Sequence, residues 1–435
     1  DEHIIKAVGN INDIEQGVLK DTAPVATRLV HELNSRQALL VAVLFHDMAK
    51  GRGGDHSELG AEIAEQLCPL LGLNEETTET VVWLIRHHLL MSKIAFRYDL
   101  NDPQTISDFA ALVQSPERLK LLLVLTVADI LAVGPEIWNG WKASLMRNLY
   151  TRAEAVLGGA APSEVSSLAA ADAMQTARHA LTDWNDDRFG AHAQLFYPSY
   201  WTNFSTDSHV RHARLAESFN AGARKLLIDF EIDDDNTSTI LVVMAADHPG
   251  LFSRIVGAVA IAGCSIMNAR INTRHDGTIL DQFRIQNQNR QAVTDPQTQK
   301  RISKTIEQSL AGDISLFGQL QERAAQRTKR QKAMTVPPRV IVSNNRSNTH
   351  TVVEINGADR PGLLYQITYH LVQLGLQINS ATVSTYGEKV VDVFYVKDVY
   401  GLKIERETTQ DRIKRTLMGV FHPKITGTGH DKERV

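Results

Sequence analysis

The sequence predicts a multidomain fold in which an all-α domain is followed by two small α+β modules of βαββαβ type. Apolar residues recur at three- and four-residue spacing from residue 1 to about residue 150, which is the period of amphipathic helices. At about residue 224 the pattern changes to short β-branched runs of strand length. The order of strands and helices that follows occurs twice, which indicates an internal duplication.

The all-α domain is predicted to occupy residues 1–150 and to form a helix in each periodic stretch. These helices are expected at 25–34, 37–50, 57–71, 75–90, 105–113 and 116–131. Turns that contain glycine or proline lie between them. Residues 151–223 are also mainly helical but more polar, and we expect them to form an extension that packs on the first domain.

The two modules are predicted at 224–320 and 339–435, and they align at an offset of 112 residues. In the first, strands are expected at 226–230, 239–244, 265–273 and 279–286, with helices at 251–262 and 295–310. In the second, strands are expected at 340–343, 351–355, 378–385 and 390–396, with helices at 363–374 and 409–417. An Asp-x-Pro-Gly turn precedes the first helix of each module. A basic, proline-containing linker is predicted at 321–338.

Composition argues against several classes of protein. The net charge of −4 lacks the basic excess of a nucleic-acid binder. No apolar run approaches the roughly 20 residues that span a membrane. The two cysteines, Cys68 and Cys264, are far apart in sequence and predict reduced thiols in a cytoplasmic protein. The chain begins with Asp1 rather than an initiator methionine, so we expect either a part of a longer protein or a protein whose start is disordered.

A His-Asp pair at the end of an apolar stretch marks the candidate site. Residues 39–45 run directly into His46 and Asp47, and Asp129 lies within a second apolar run at 121–131. A buried imidazole or carboxylate is unfavourable unless it is paired, and a divalent cation is a common partner of both groups. The alternative is that His46 and Asp47 are only the polar end of a buried helix, and this stretch alone does not decide between the two.

The order of histidines and aspartates along the all-α domain resembles that of the HD phosphohydrolase superfamily. The resemblance implies one divalent ion, with the ligands His3, His46, Asp47 and Asp129. It also implies a second ion, bridged by Asp47, at three further histidines, which are His56, His87 and His88. Imidazoles and carboxylates without thiolates suit Mn²⁺ or Mg²⁺, and also Fe²⁺ or Zn²⁺. Lys50 is predicted to hold a phosphate oxygen while Asp47 orients the attacking water.

Each module resembles an ACT domain, a family that binds small ligands, often amino acids. The positive end of the helix dipole after the turn favours an α-carboxylate, and the turn aspartate is expected to pair with an α-ammonium group. Ligand contacts are predicted at Asp247, His248, Gly250, Leu251 and Phe252 in the first module. The corresponding residues of the second module are Asp359, Arg360, Gly362, Leu363 and Leu364. The alternative is that each motif is only a well-formed turn.

The domain order and two local motifs resemble the bifunctional uridylyltransferase/uridylyl-removing enzymes of bacterial nitrogen regulation. The motifs are Phe-His-Asp-Met-Ala-Lys-Gly-Arg-Gly-Gly-Asp-His-Ser at 45–57 and Trp-Asn-Gly-Trp-Lys at 138–142. The resemblance covers essentially the whole chain. It implies hydrolysis of the bond between UMP and a tyrosine of the nitrogen-regulatory P-II protein, with glutamine as an allosteric ligand of the ACT modules. The nucleotidyltransferase motif of that family is absent, so we expect no uridylyltransferase activity from this chain.

Two other functions stay open on the sequence alone. One is hydrolysis of a small nucleotide such as guanosine tetraphosphate by the HD domain. The other is amino-acid sensing without catalysis. The sequence also leaves open the number and identity of the ions, the module that binds glutamine, and the oligomeric state.

Overall fold

The computed structural model describes residues 2–134, 137–222, 225–233, 237–325, 337–386 and 389–421. These residues form two compact units. The first contains the described residues up to 182 together with 198–206, and the second contains 183–197 and the described residues from 207 onwards. The predicted domain boundaries remain predictions, and the predicted linker lies mostly outside the described residues.

Helices alone form the first unit, and two further helices open the second. In chain order they are α1 (Glu2–Glu15), α2 (Pro24–Leu29), α3 (Arg36–Phe45), α4 (His56–Leu70), α5 (Glu75–His87), α6 (Leu90–Arg97), α7 (Pro103–Val113), α8 (Pro116–Val133), α9 (Gly140–Leu157), α10 (Pro162–Ala180), α11 (Asp186–Ala193), α12 (Pro198–Asn203) and α13 (Thr206–Ala221). A 3₁₀ turn, Val30–Glu32, follows α2. Of these, α11 and residues 207–221 of α13 belong to the second unit.

Helix α8 lies in the core of the first unit because nearly every side of it is apolar. Residues 121–127 are all buried, as expected of a helix without a polar face. The helix begins where Ser115 Oγ accepts a hydrogen bond from the backbone N–H of Arg118 (3.2 Å), and Pro116 occupies its first turn. This buried helix carries Asp129.

The third helix ends earlier than the sequence predicts. The prediction placed its end at Lys50, whereas α3 ends at Phe45 with His46 as its C-cap. From there the backbone closes by tight turns, in which the N–H of Met48 bonds the carbonyl of Phe45 (3.1 Å) and the N–H of Lys50 bonds that of Asp47 (3.0 Å). His46 and Asp47 therefore leave the helix at its end, where two successive side chains can both point into the site.

The second unit contains two four-stranded antiparallel sheets. Their strands are β1 (Leu226–Ile232), β2 (Thr239–Ala246), β3 (Ser265–Arg270) and β4 (Thr278–Gln286), then β5 (Arg339–Ser343), β6 (Thr351–Ala358), β7 (Gln377–Tyr386) and β8 (Lys389–Lys397). The helices between and after them are α14 (Leu251–Ile261), α15 (Pro296–Ala311), α16 (Leu316–Ala325), α17 (Leu363–Gln373) and α18 (Glu407–Phe421). The strand orders are β1-β2-β4-β3 and β5-β6-β8-β7. The α+β fold class is confirmed.

Each module has the chain order ββαββα, which is the order of the individually predicted strands and helices but differs from the βαββαβ type predicted for the modules as a whole. The strand that completes each sheet comes first rather than last: β1 pairs with β2, and β5 with β6, at the edge of the sheet. The duplication is visible in the backbone: Gly250 and Gly362 both take the left-handed conformation, with φ of 83° and 77°. The third strand of the first module ends at Arg270, short of the predicted Thr273.

The two modules share one hydrophobic core, in which α14 and α17 meet. A Cβ atom at Gly257 of α14 would lie 2.7 Å from the ring of Tyr365 on α17 and 2.8 Å from Leu316. Only glycine therefore permits this approach without a shift of the neighbouring side chains. In the described part of the chain, no helix has the length and apolar character required to cross a bilayer.

Candidate metal centre

Two histidines reach the site from helix ends and are oriented in the same way. His46 follows α3 and His88 follows α5, and each side chain is only 1% exposed. The Nδ1 atom of His46 donates to the carbonyl of Val43 (2.8 Å), and that of His88 donates to the carbonyl of Ile85 (2.7 Å). Because a carbonyl only accepts, each Nδ1 carries a proton, and the neutral ring has its lone pair on Nε2.

His3, His46 and Asp129 form the first group of candidate ligands, with their ligand atoms within 4.8 Å of one another. His3 Nε2 donates to Asp129 Oδ1 (2.9 Å), and His46 Nε2 lies 3.4 Å from the same oxygen. Helix α1 is tied to α8 beside this group, because Asn10 Nδ2 donates to the carbonyl of Ala128 (2.9 Å). The group thus combines three helix segments that are distant in sequence.

Asp47, His56 and His88 form the second group, also within 4.8 Å. His56 is the first residue of α4, which Asp55 caps by accepting from the N–H of Ser57 (2.9 Å). Asp47 Oδ1 lies 3.6 Å from His56 Nε2.

Asp47 faces both groups, one with each carboxylate oxygen. While Oδ1 faces His56, Oδ2 lies 3.8 Å from Nε2 of His3 and 3.8 Å from Nε2 of His46. The side chain is 8% exposed. This is the placement required of a carboxylate that bridges two ions.

Burial and charge act against each other in these groups. Burial of the His46 ring is the largest effect and opposes its protonation, but Asp129, with smaller contributions from Val43 and Asp47, raises the pKa of His46 overall. Burial likewise favours the neutral form of Asp129, yet contact with His46 lowers the pKa of its carboxyl. Burial lowers the pKa of His88. The lowered pKa values of Asp129 and His88 favour a carboxylate and a neutral imidazole, which are the protonation states that bind metal. The raised pKa of His46 favours a positive charge beside Asp129, which a bound cation would supply instead.

An unsatisfied nitrogen supports a cation at this position. His46 Nε2 is buried and makes no hydrogen bond within the described residues, although a carboxylate oxygen lies 3.4 Å away. With its proton on Nδ1, the ring points a lone pair at that oxygen, which is an unfavourable arrangement unless a proton or a cation lies between them. The nitrogen and oxygen donor set, without thiolate, fits a divalent cation.

Two predicted site residues take other positions. His87 belongs to neither group, because its ring packs against Trp83 with 4.9 Å between centroids, and burial lowers its pKa. Lys50 does not extend α3, but its ammonium group still contacts Asp47 Oδ2 at 2.5 Å while its side chain stays 67% exposed.

The sequence interpretation missed the residues that orient the ligands. The carbonyls of Val43 and Ile85 fix the rings of His46 and His88. Gly60 lets α4 approach, since a Cβ there would lie 3.1 Å from Ile85 Cγ2. The available signal was position: each of the two histidines follows an apolar helix, where its side chain can turn back to the carbonyl three residues earlier.

In the first module, the Asp-x-Pro-Gly turn is bonded to the hairpin between β3 and β4. The N–H of Asp247 donates to the carbonyl of Gly277 (2.9 Å), and Asp247 Oδ2 accepts from Thr273 Oγ1 (3.4 Å). His248 is exposed, whereas Leu251 and Phe252 are buried at the start of α14.

In the second module, the side chain of Arg360 is part of the fold. It donates to the carbonyl of Val420 near the end of α18 (2.8 Å) and to the side chain of Gln366. A Cβ at Gly362 would lie 3.2 Å from Leu320, so this turn is covered on that side. Leu363 is buried and Leu364 is half-buried. The two turns thus differ in what surrounds them.

Comparison with known proteins identifies both kinds of domain. The HD domain family matches residues 20–134, and the family described as ACR family N-terminal ACT domain matches residues 346–422. A bifunctional uridylyltransferase/uridylyl-removing enzyme from Rhodospirillum rubrum is 47% identical over 417 residues, which is 96% of this chain and 45% of that protein. The enzymes of the same name from Azospirillum brasilense and Gluconobacter oxydans are 48% and 46% identical, again over 96% of this chain.

The chain spans about half the length of these relatives. The match to the HD domain family includes every member of the two candidate ligand groups except His3, which lies ahead of it, and the match to the ACT family lies on the second α+β module. The chain is therefore a homologue of one part of the bifunctional uridylyltransferase/uridylyl-removing enzymes, with an HD domain followed by an ACT region.

Proposed function

We propose that the chain is a metal-dependent phosphodiesterase that removes UMP from a uridylylated tyrosine of the nitrogen-regulatory P-II protein. The observation that carries the proposal is the placement of Asp47 between two groups of ligands, in an HD domain of a chain similar to uridylyl-removing enzymes. In this proposal His3, His46, Asp47 and Asp129 hold one ion, and Asp47, His56 and His88 hold a second. Mn²⁺ or Mg²⁺ suits the ligands, and so does Fe²⁺ or Zn²⁺.

Divalent ions at such a site make a coordinated water more acidic and offset the charge of a phosphate. The residues of the chain supply the rest. Asp47 fixes the distance between the two groups, and the Nδ1 bonds of His46 and His88 hold their lone pairs on the site. Lys50 is exposed beside Asp47 and is placed to contact a phosphate oxygen of a protein substrate. The leaving tyrosinate has a pKa of about 10 in its free form, so its departure needs little acid assistance.

We propose further that glutamine binds the ACT region and controls hydrolysis. In the first module Asp247 lies at the turn before α14, where a carboxylate and the positive end of a helix dipole occur together. The α-ammonium group of an amino acid would pair with the Asp247 carboxylate, and its α-carboxylate would lie at the positive end of the helix dipole. In the second module the guanidinium of Arg360 is bound to α18, so we favour the first turn as the glutamine site.

The test is release of UMP. The chain is incubated with Mn²⁺ and uridylylated P-II protein, with and without glutamine, and UMP is quantified by chromatography. We expect release that depends on Mn²⁺ and changes with glutamine. His46→Ala should abolish it, whereas His31→Ala, at an exposed histidine outside both groups, should not.

Parallel incubations separate the competing functions. Cleavage of guanosine tetraphosphate without release of UMP would replace the proposed substrate by a small nucleotide. Binding of glutamine without hydrolysis of either substrate would reduce the chain to an amino-acid sensor.

A further inference from the structure

The hairpin between β3 and β4 contacts the predicted glutamine turn on one side. Its residue Gly277 accepts from the N–H of Asp247 (2.9 Å), and Thr273 donates to the carboxylate of Asp247. A ligand that pairs with the Asp247 carboxylate therefore either competes with the hydrogen bond from Thr273 or binds alongside it. The position of the hairpin must respond to any ligand that prefers one arrangement of Asp247.

The other side of the hairpin is bonded to residues just before α12. The N–H of His275 donates to the carbonyl of Leu195 (2.9 Å), and the ring of His275 lies against that of Tyr197, with 3.9 Å between centroids. The buried guanidinium of Arg274 lies 5.6 Å from the ring of Phe196. All these residues belong to the second unit, so the hairpin and residues 195–197 form one local structure.

The next residue, Pro198, begins α12, and α12 belongs to the first unit. Asn101 anchors this helix: its Oδ1 accepts from Thr202 Oγ1, and its Nδ2 donates to Asn203. The same Oδ1 accepts from the buried guanidinium of Arg152 (3.0 Å). Because proline has a fixed φ, one backbone dihedral between the two anchored segments is restrained.

Asn101 is in turn close in sequence to a metal ligand. Helix α6 begins two residues after His88 and ends at Arg97, and the loop that follows contains Asn101. A displacement of α12 is therefore passed to a loop whose preceding helix starts at the second ligand group.

We propose that residues 195–203, here called the relay segment, transmit the state of the Asp247 turn to the metal centre. The inference rests on the proposed function for the identity of the ligand, glutamine. The path consists of contacts within each unit and the peptide bond between Tyr197 and Pro198, which joins them. In this proposal the fixed φ of Pro198 is the feature that couples a shift of the hairpin to α12.

The test loosens the junction and leaves both ends intact. Pro198→Gly releases the φ restraint, and Pro162→Gly is a matched control because Pro162 also begins a helix of the first unit. In the unchanged chain we expect glutamine to alter UMP release by about fivefold or more. In Pro198→Gly the response should fall below about twofold with the rate in its absence retained, and Pro162→Gly should keep the full response.

Hydrogen exchange of the amides at 199–203 provides a readout without hydrolysis. Glutamine should change their exchange rates in the unchanged chain and in Pro162→Gly, and leave them unchanged in Pro198→Gly. A full glutamine response in Pro198→Gly, or no effect of glutamine on these amides in the unchanged chain, would overturn the relay. Absence of UMP release with a glutamine-dependent change at α12 would instead reject the proposed reaction and keep the relay.

Discussion

His46 and His88 are neighbours in the site, and each ring is held by the same hydrogen bond from Nδ1 to the carbonyl three residues earlier, at 2.8 Å and 2.7 Å. Their ring centroids lie 5.2 Å apart. A histidine at a helix end can turn back in this way, whereas one inside the helix has its side chain directed along the helix surface. The two helix ends thus define both the position of the site and the tautomers of its ligands.

The two ligand groups predict separable loading with metal. His88→Ala removes a ligand of the second group alone, so we expect the content of Mn²⁺ to fall from about two ions to about one. Asp47→Ala should remove both, because Asp47 faces both groups. Elemental analysis after dialysis measures the content. His87→Ala is the matched control, since its ring packs on Trp83, and an equal loss of metal in His87→Ala and His88→Ala would contradict this assignment.

Lys50 is predicted to affect metal binding through the charge of Asp47. Burial is the largest effect on Asp47 and favours its neutral carboxyl, but Lys50 together with His46 and His88 lowers the pKa overall. Lys50→Met should let this pKa rise, so protons compete with Mn²⁺ up to a higher pH. Because Lys50 is 67% exposed, we expect the pH midpoint of Mn²⁺ binding to move upward by only about 0.5 pH unit.

Calorimetric titration with Mn²⁺ at several pH values measures this midpoint. Lys20→Met, at an exposed lysine elsewhere, should not move it. A downward shift in Lys50→Met would contradict the argument.

The sequence locates the candidate ligands, but it does not predict the geometry that the structure gives them. His46, Asp47 and Asp129 stood out because polar residues interrupt apolar stretches. The sequence alone could not decide between His87 and His88, because adjacent residues project about 100° apart and the two lie together at the end of α5. Only packing of α5 against its neighbours decides which ring enters the site.

The sequence likewise predicts only part of the strand arrangement in the two sheets. Residue patterns located the strands of both modules, but pairing is a long-range property that alternation does not encode. The edge position of β1 beside β2 is such a property, because only the pairing of the two strands shows it. The repeated Asp-x-Pro-Gly turn was predictable because its glycine needs a left-handed backbone, which Gly250 and Gly362 both adopt.

Gly60 is predicted to be required for the close approach of α4. A Cβ would lie 3.1 Å from Ile85 Cγ2, so Gly60→Val should push α4 outward and destabilise the first unit by about 1–3 kcal/mol. The shift would also displace His56 and weaken the second ion. Urea unfolding and metal content measure the two effects.

Gly9→Ala provides the comparison, because a Cβ at this helical position meets no atom within 4 Å. Alanine there should stabilise the unit by about 0.5–1 kcal/mol. If Gly60→Val had the stability of the unchanged chain, the close approach of α4 would not depend on glycine.

Because His212 is buried in a neutral form, we predict that the second unit loses stability in acid. The ring is fully buried on α13, where Nε2 donates to Gln282 (3.1 Å), and burial lowers its pKa from 6.5 to about 3. The unfolded chain binds a proton below about pH 6.5 and the folded chain does not until about pH 3, so the free energy of unfolding falls as pH falls between these values. At pH 5 the loss of unfolding free energy from this residue is about 2 kcal/mol.

His212→Gln should lower the stability of the second unit at pH 7 but make that stability depend less on pH. Hydrogen exchange of α13 amides at pH 7 and pH 5 measures both effects. His179→Gln, at an exposed histidine of α10, should retain the full dependence, and an equally steep dependence in His212→Gln would show that burial of this ring is not its source.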